Sequence, residues 1–377
     1  MKRLHSLLLL MLLMTAGAQE LRIGVILPFT SKSGNEWRQV ITGVERSINL
    51  HASPVMRNVR IITADDGGSP ARAVSLARQL VRDNDVHVLI CCSDPATTAA
   101  LQPVADELQV LTLSLSGAPD LPGSSQLKSL QPSVLSSMRA LALGARRHEG
   151  DLTLMVSEGP EAEEIEAAFR AGALEAGMPV MRVVTFRSGS RPLTPEALLA
   201  ATSQAEAIVV WANEADSREA VRSLRARGWT GPVLLDYGQA ASLARETGTG
   251  PLEFVVPPAA VTGGLPGGSG NQTAVSAWRV ASGAALLGTQ TTVEGALLWD
   301  ALQLAQRAFE QALVYGASLQ LSDAQVRSAL YDGLVGSGTN ELAAGTYRYS
   351  PSSAYLSQPA GLVPAAGTGG RFSALTH

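Results

Sequence analysis

From Leu21 onward the chain alternates short apolar runs with amphipathic stretches of helical period, and this alternation restricts the fold more than any other feature. Leu21 to Leu27, LRIGVIL, is continuously apolar and ends at Pro28, as a strand buried on both faces of a parallel sheet does. From Glu36 to His51, the residues Trp37, Val40, Ile41, Val44 and Ile48 recur with helical spacing. Val59 to Thr63 reads as the next strand. A helix follows over Ala71 to Asp83, with Ser69 as N-cap and Pro70 at its first position. Then come a strand over Val86 to Cys91, a helix over Thr97 to Leu108 and a strand over Val110 to Ser114. The alternation restarts with strands over Asp151 to Val156, Val180 to Phe186, Ala207 to Trp211 and Val233 to Asp236. Helices over Glu161 to Ala176, Pro195 to Thr202 and Ser217 to Arg227 separate them. Parallel strands need helical crossovers, so the expected class is α/β with two Rossmann-like, doubly wound lobes.

Pro119 to Ser137 reads as a crossing between the lobes, and Pro257-Pro258 as a second. Gly263 to Gly270 is expected to be a surface loop. Helices are expected over Thr292 to Leu313 and Ser322 to Tyr331, and a poorly packed tail after Tyr349.

The chain opens with a short basic start, an apolar run from Ser6 to Thr15 and the small-residue site Ala16-Gly17-Ala18. That order is the secretory pattern, and the run is too short to span a bilayer. Residues 1–18 are therefore expected to be a cleaved signal peptide, with Gln19 starting a periplasmic or otherwise extracytoplasmic protein that is not membrane-embedded. With 46% hydrophobic and 16% charged residues the chain can bury a large core. A net charge of -4 without a strongly basic stretch argues against nucleic acid as a partner. Cys91 and Cys92 are adjacent and cannot staple distant segments. They suit either two buried thiols ending a strand or a vicinal disulfide formed in an oxidising compartment.

No HExxH, GxSxG, Walker loop or strand-linked GxGxxG is present. Ser125 to Lys128 matches S-x-x-K but lacks the companion motifs of that enzyme class. The His residues are scattered singly. The expectation is a protein with no catalytic residue, no metal and no cofactor.

Five stretches together resemble a known family: IGVILPFTSKSGNEWRQVITGVERSIN, IITADDGGSPARAVSLARQLVRDNDVHVLI, SDPATTAALQPVADELQVLTLSLSGAPDL, AEAIVVWANEADSREAVRSLRARGWTGPVLLDYGQ and TTVEGALLWDALQLAQRAFEQA. The chain resembles type I periplasmic binding proteins of the leucine/isoleucine/valine-binding group, the solute receptors of ABC importers. The resemblance implies two lobes joined by three crossings, residues 19–136 with 257–341 and residues 137–256 with 342–377. It implies a monomer that closes on a small polar ligand (amino acid, amide or related compound) and docks a membrane permease. A sensing or scaffold protein on the same fold is the alternative.

The resemblance puts a ligand carboxylate at Ser93 to Thr97 and at Leu115, Ser116 and Gly117. Asp94 stands where the family usually offers a hydroxyl, and Gly117 where it often offers Thr. An anion there repels a carboxylate, so Asp94 with Asp236 or Tyr237 suits a cationic, amide or polyol ligand. Each Asp also suits a helix N-cap or turn. Asn213 and Tyr237 take the positions facing a ligand amine, with Asp216 and Asp236 nearby. Trp37 matches the aromatic of the first loop and equally a core-facing helix residue. Glu161 begins an acidic helix start and is a further cleft candidate. Gly68 stands where the family often has a Cys, which leaves Cys92 without that partner.

Overall fold

The computed structural model describes residues 20–31, 34–51, 59–117, 121–145, 150–159, 162–201, 204–236, 243, 252–255, 293–316, 322–342, 346–350, 353–356 and 362–364. The expected signal peptide, the Pro257-Pro258 crossing and the Gly263 to Gly270 loop lie outside these residues.

The first unit runs β1 (Leu21–Leu27), α1 (Gly34–His51), β2 (Val59–Asp65), α2 (Pro70–Asp83), β3 (Val88–Cys91), α3 (Pro95–Leu108), β4 (Leu111–Ser114) and β5 (Leu127–Ser129). Its 5-stranded sheet has the order β2-β1-β3-β4-β5, and every pairing is parallel. The α2 start is built as its sequence predicts: Ser69 Oγ accepts from the Arg72 amide and Pro70 opens the helix. Gly24 in β1 permits the close fit of α2, because a β-carbon there would stand 3.1 Å from Leu80 Cδ1 and 2.9 Å from Leu89 Cδ2.

The second unit runs α4 (Val134–Gly144), β6 (Leu152–Ser157), α5 (Ala162–Ala176), β7 (Val180–Phe186), α6 (Thr194–Ala201), β8 (Ala207–Trp211), α7 (Glu214–Ala226), β9 (Val233–Asp236) and β10 (Leu252–Val255). The chain then forms α8 (Val293–Gly316), α9 (Asp323–Gly336), β11 (Thr339–Glu341), β12 (Thr346–Arg348) and β13 (Leu362–Pro364). The second sheet has 6 strands in the order β13-β10-β9-β8-β6-β7, parallel except for β13. Helix α8 packs on α1, β1 and β3, and α9 packs on α8 and β4, so both belong with the first sheet.

Three features depart from the sequence reading. The expected crossing over Pro119 to Ser137 carries β5, whose three residues are too few for periodicity to announce. The hairpin of β11 and β12 was not foreseen in the Gly-rich stretch. The resemblance implies that residues 342–377 belong wholly to the second lobe, yet residues 353–356 lie along β5. The Ser129 amide donates to the Ala354 carbonyl at 2.8 Å, and the Leu356 amide donates to the Ser129 carbonyl at 2.9 Å. The reason is the open edge of β5, whose backbone groups need partners. Ala354 and Leu356 are buried there rather than loosely packed. Among the described residues of the tail, β13 alone joins the second sheet.

Candidate functional site

In open α/β sheets the carboxyl ends of the strands carry ligands. At the carboxyl end of β3 the chain passes through Cys91 and Cys92, joined as a vicinal disulfide and both fully buried. The vicinal alternative is thus the one adopted. Ser93 follows, exposed, and then Asp94. Asp94 is the N-cap of α3. Its Oδ1 accepts from the Thr97 amide at 2.8 Å and its Oδ2 from the Thr97 hydroxyl at 2.7 Å. Thr97 is fully buried, so both donors are committed to Asp94.

The end of β4 is built on a net of hydroxyls. Leu115 donates its amide to the Cys91 carbonyl at 2.9 Å, tying the two strand ends together. The Ser116 amide donates to Ser114 Oγ at 3.2 Å, and the Ser116 carbonyl accepts from Ser114 Oγ, Ser129 Oγ and Thr98 Oγ1. Thr98 and Ser129 were not read from the sequence as part of this loop. The Thr97-Thr98 pair at a helix start was the available signal. Gly117 is buried against the first crossing, beside Pro132.

Negative charge gathers beside Asp94. Asp66 is 1% exposed and its Oδ1 accepts from the Gly68 amide at 2.8 Å. Burial, with the charges of Asp94 and Asp65, pushes the Asp66 carboxyl above its ordinary value, while Arg72 opposes them.

Trp37 lies in the core, 2% exposed and edge-on to Phe29 with ring centroids 6.2 Å apart. Of its two readings, the structure gives the core-facing one. In the second unit Asn213 caps α7, accepting from the Asp216 amide at 2.9 Å. Asp216, 2% exposed, in turn accepts from the Ser188 hydroxyl at 2.6 Å, the Gly189 amide at 3.0 Å and Asn213 Nδ2 at 2.7 Å. This knot ties the loop after β7 to the start of α7, and both residues are engaged structurally. Asp236 ends β9 and pairs with Val255; Glu161 and Tyr237 lie outside the described residues.

Two other places attract attention. Lys128, in the S-x-x-K stretch, is fully buried on β5, with Nζ donating to the Gly123 carbonyl at 2.5 Å and lying 5.6 Å and 5.3 Å from the Tyr331 and Tyr349 ring centroids. Ser125 donates instead to Asp106 Oδ1 at 3.0 Å, so no nucleophile–lysine pair forms. A cavity of about 330 Å³ lined by Glu206, Arg227 and Trp229 sits before β8 and β9, at the amino ends of the strands and away from the loops above. Among the described residues, no helix is long and apolar enough to cross a membrane, and no group of His, Cys, Asp and Glu could hold a metal.

A family model described as periplasmic binding protein matches residues 20–354. The chain belongs to the periplasmic binding protein family. That family binds and does not catalyse. This binding protein is similar in fold to an extracellular ligand-binding receptor from Rhodopseudomonas palustris HaA2, with 18% identity, 94% of this chain and 99% of that chain covered, and a TM-score of 0.78. It is similar to an ABC transporter substrate-binding protein from Desulfitobacterium hafniense in complex with Leu, at 17% identity, coverages of 92% and 97%, and a TM-score of 0.71. A solute-binding protein of an ABC transporter from R. palustris in complex with benzoate gives 14% identity, coverages of 94% and 95%, and a TM-score of 0.70. No curated relative matches the chain.

Proposed function

We propose that this binding protein is the exported solute receptor of an ABC importer. It captures a small polar ligand, an amino acid, amide or related compound, between its two lobes and presents the closed form to a membrane permease. The first-lobe wall is formed by Ser93, Asp94, Thr97, Leu115, Ser116 and Gly117. Asn213, Asp236, Tyr237 and Glu161 supply the second, and Trp37 supports the first from the core.

The observation that carries this reading is the seating of Gly117 on the first crossing. A loop that touches ligand and also rests on the chain joining the lobes gives ligand a direct purchase on their relative position. Ligand drives closure only by the affinity that the closed state adds, and hinge closure around a solute is a known mode. The leucine and benzoate bound by similar folds support a small organic solute. The secretory start supports a site of action outside the cytoplasm.

The test is a thermal-shift screen of Gln19 to His377, unfolded and refolded to strip carried-over ligand. Amino acids, amides, polyamines, aromatic acids and sugars form the panel. At 100 times its dissociation constant a ligand adds about 2.7 kcal/mol, a rise of a few degrees. A hit that also contracts the molecule in solution scattering supports solute capture. A flat panel with demonstrably native protein refutes it.

A further inference from the structure

We infer that the Ser129 hydroxyl is the positioning group that couples the ligand wall of the first lobe to the hinge, by holding the Ser116 carbonyl on one side and the first crossing on the other. The inference rests on the solute-receptor reading, which places Ser116 in that wall. It deepens that reading by naming the residue that carries ligand contact to the spacing of the lobes.

Ser129 is the last residue of β5 and is fully buried. Leu130 to Ser133 alone separate it from α4, which packs on α5 and on β9, β10 and β13 of the second sheet. The share of any lobe rotation that this crossing takes up therefore falls on the backbone dihedrals just after Ser129. The side chain grips that stretch: Ser129 Oγ accepts from the Gln131 amide at 3.1 Å and donates to the Gln131 carbonyl at 2.8 Å. The same Oγ lies 3.2 Å from the Ser116 carbonyl. A hydroxyl has one proton, so a carbonyl of the wall and a carbonyl of the crossing share it. The Ser129 backbone meanwhile moors the tail through Ala354 and Leu356, from which the chain goes on to the second sheet at Leu362.

The wall can release this proton at little cost. The Ser116 carbonyl also accepts from Ser114 Oγ at 2.7 Å and from Thr98 Oγ1 at 3.3 Å, so more hydroxyls reach it than its two lone pairs require. When Ser129 turns wholly to Gln131, the carbonyl stays paired and no buried acceptor is stranded. When ligand presses the Ser116 peptide toward Ser129, the proton is drawn from Gln131 and the grip on the crossing relaxes. One buried proton thus has two arrangements, and the wall and the crossing both bias which is taken, as coupling between two places requires. Thr98 reaches the same carbonyl, but its other bonds run to Asp94 and Ser114, away from the crossing.

Ser129→Ala and Thr98→Val in the ligand-free Gln19 to His377 protein test this. Each removes one hydroxyl from the Ser116 carbonyl and leaves every backbone group in place, so the tail keeps its bonds to residue 129. Spin labels on Asp83→Cys in α2 and Leu174→Cys in α5, both exposed, report the spacing of the lobes, and the joined native cysteines take no label. Hydrogen exchange over Leu115 to Gly117 reports the wall. The expected result for Ser129→Ala is a distance distribution about twofold wider and wall exchange about tenfold faster, with Thr98→Val keeping the wild-type distances. A Ser129→Ala distribution that matches the wild type overturns the inference. Widening with wall exchange unchanged also overturns it, because the crossing then moves without the wall. Equal widening in Thr98→Val does so too, since any lost hydroxyl then loosens the lobes. None of these outcomes depends on a solute. A solute hit beside an unaltered Ser129→Ala distribution removes the inference and leaves the receptor reading standing, whereas a flat solute screen refutes that reading by itself.

Discussion

The carbonyl oxygen of Pro132 lies directly over Gly117: a β-carbon built on Gly117 would stand 2.6 Å from it. No real side chain tolerates that approach. The loop at the end of β4 and the first crossing therefore fit only because position 117 carries hydrogen alone.

Gly117→Ala must push the crossing away, which disturbs the Ser129 bonds to Gln131 and Ser116. The expected cost is about 1–3 kcal/mol, typical of overpacking. Urea denaturation measures the loss, and solution scattering reports whether the lobes settle at a new spacing. An alanine variant as stable and as compact as the wild type would show that the crossing does not rest here.

The second unit makes a separate claim. Asp216→Ala strips the acceptor from Ser188, Gly189 and Asn213 at once. Losing a buried charged acceptor with three donors should cost about 2–4 kcal/mol, whereas Ser188→Ala, which removes one donor, should cost about 1 kcal/mol. Equal costs for the two variants in parallel denaturation curves would contradict a shared knot at Asp216.

Lys128 predicts a particular pH dependence. Burial lowers its pKa from 10.5 to about 8, with Asp106 pulling the other way. Between those values the unfolded chain holds the proton and the folded chain has released it, so stability attributable to Lys128 rises with pH across that window. The rise amounts to up to about 3 kcal/mol. Lys128→Met removes it, and the difference between wild type and variant isolates this group from other titrations. A difference that stays constant from pH 7 to 10.5 would sink the assignment.

The joined pair Cys91–Cys92, fully buried, predicts a simple labelling pattern. Native protein without reductant should take no alkylating label, and protein unfolded in a dithiol reductant should take two. Uptake by the native, unreduced protein, read by intact mass, would mean free thiols at the end of β3.

Most of the frame was legible because its strands are continuously apolar and its helices carry caps. Leu21–Leu27 and the Ser69-Pro70 start of α2 appear where the pattern puts them. β5 was not legible, since three residues carry no period. The tail was misplaced because its position follows from an open strand edge, which no local sequence records. At the site, the sequence suits Asp94 both as a ligand contact and as an N-cap. The structure makes it an N-cap, and local chemistry favours this: Pro95 suits the first helical position, which puts Asp94 at the cap with the Thr97 amide in reach. Ser129 and Pro132 were illegible as neighbours of Ser116 and Gly117, because sheet pairing alone brings them there.

The last stretch of the chain closes an edge of each sheet. Residues 353–356 cover β5, and β13 covers β10. Uncovered strand edges invite pairing with other molecules. Because synthesis runs from the amino terminus, both edges stay open until residues 353–364 have been made, and a chain cut short near Tyr349 would keep them open for good. The hazard of such a truncation is self-association between copies rather than simple loss of fold, and the tail acts as a late-arriving guard against it.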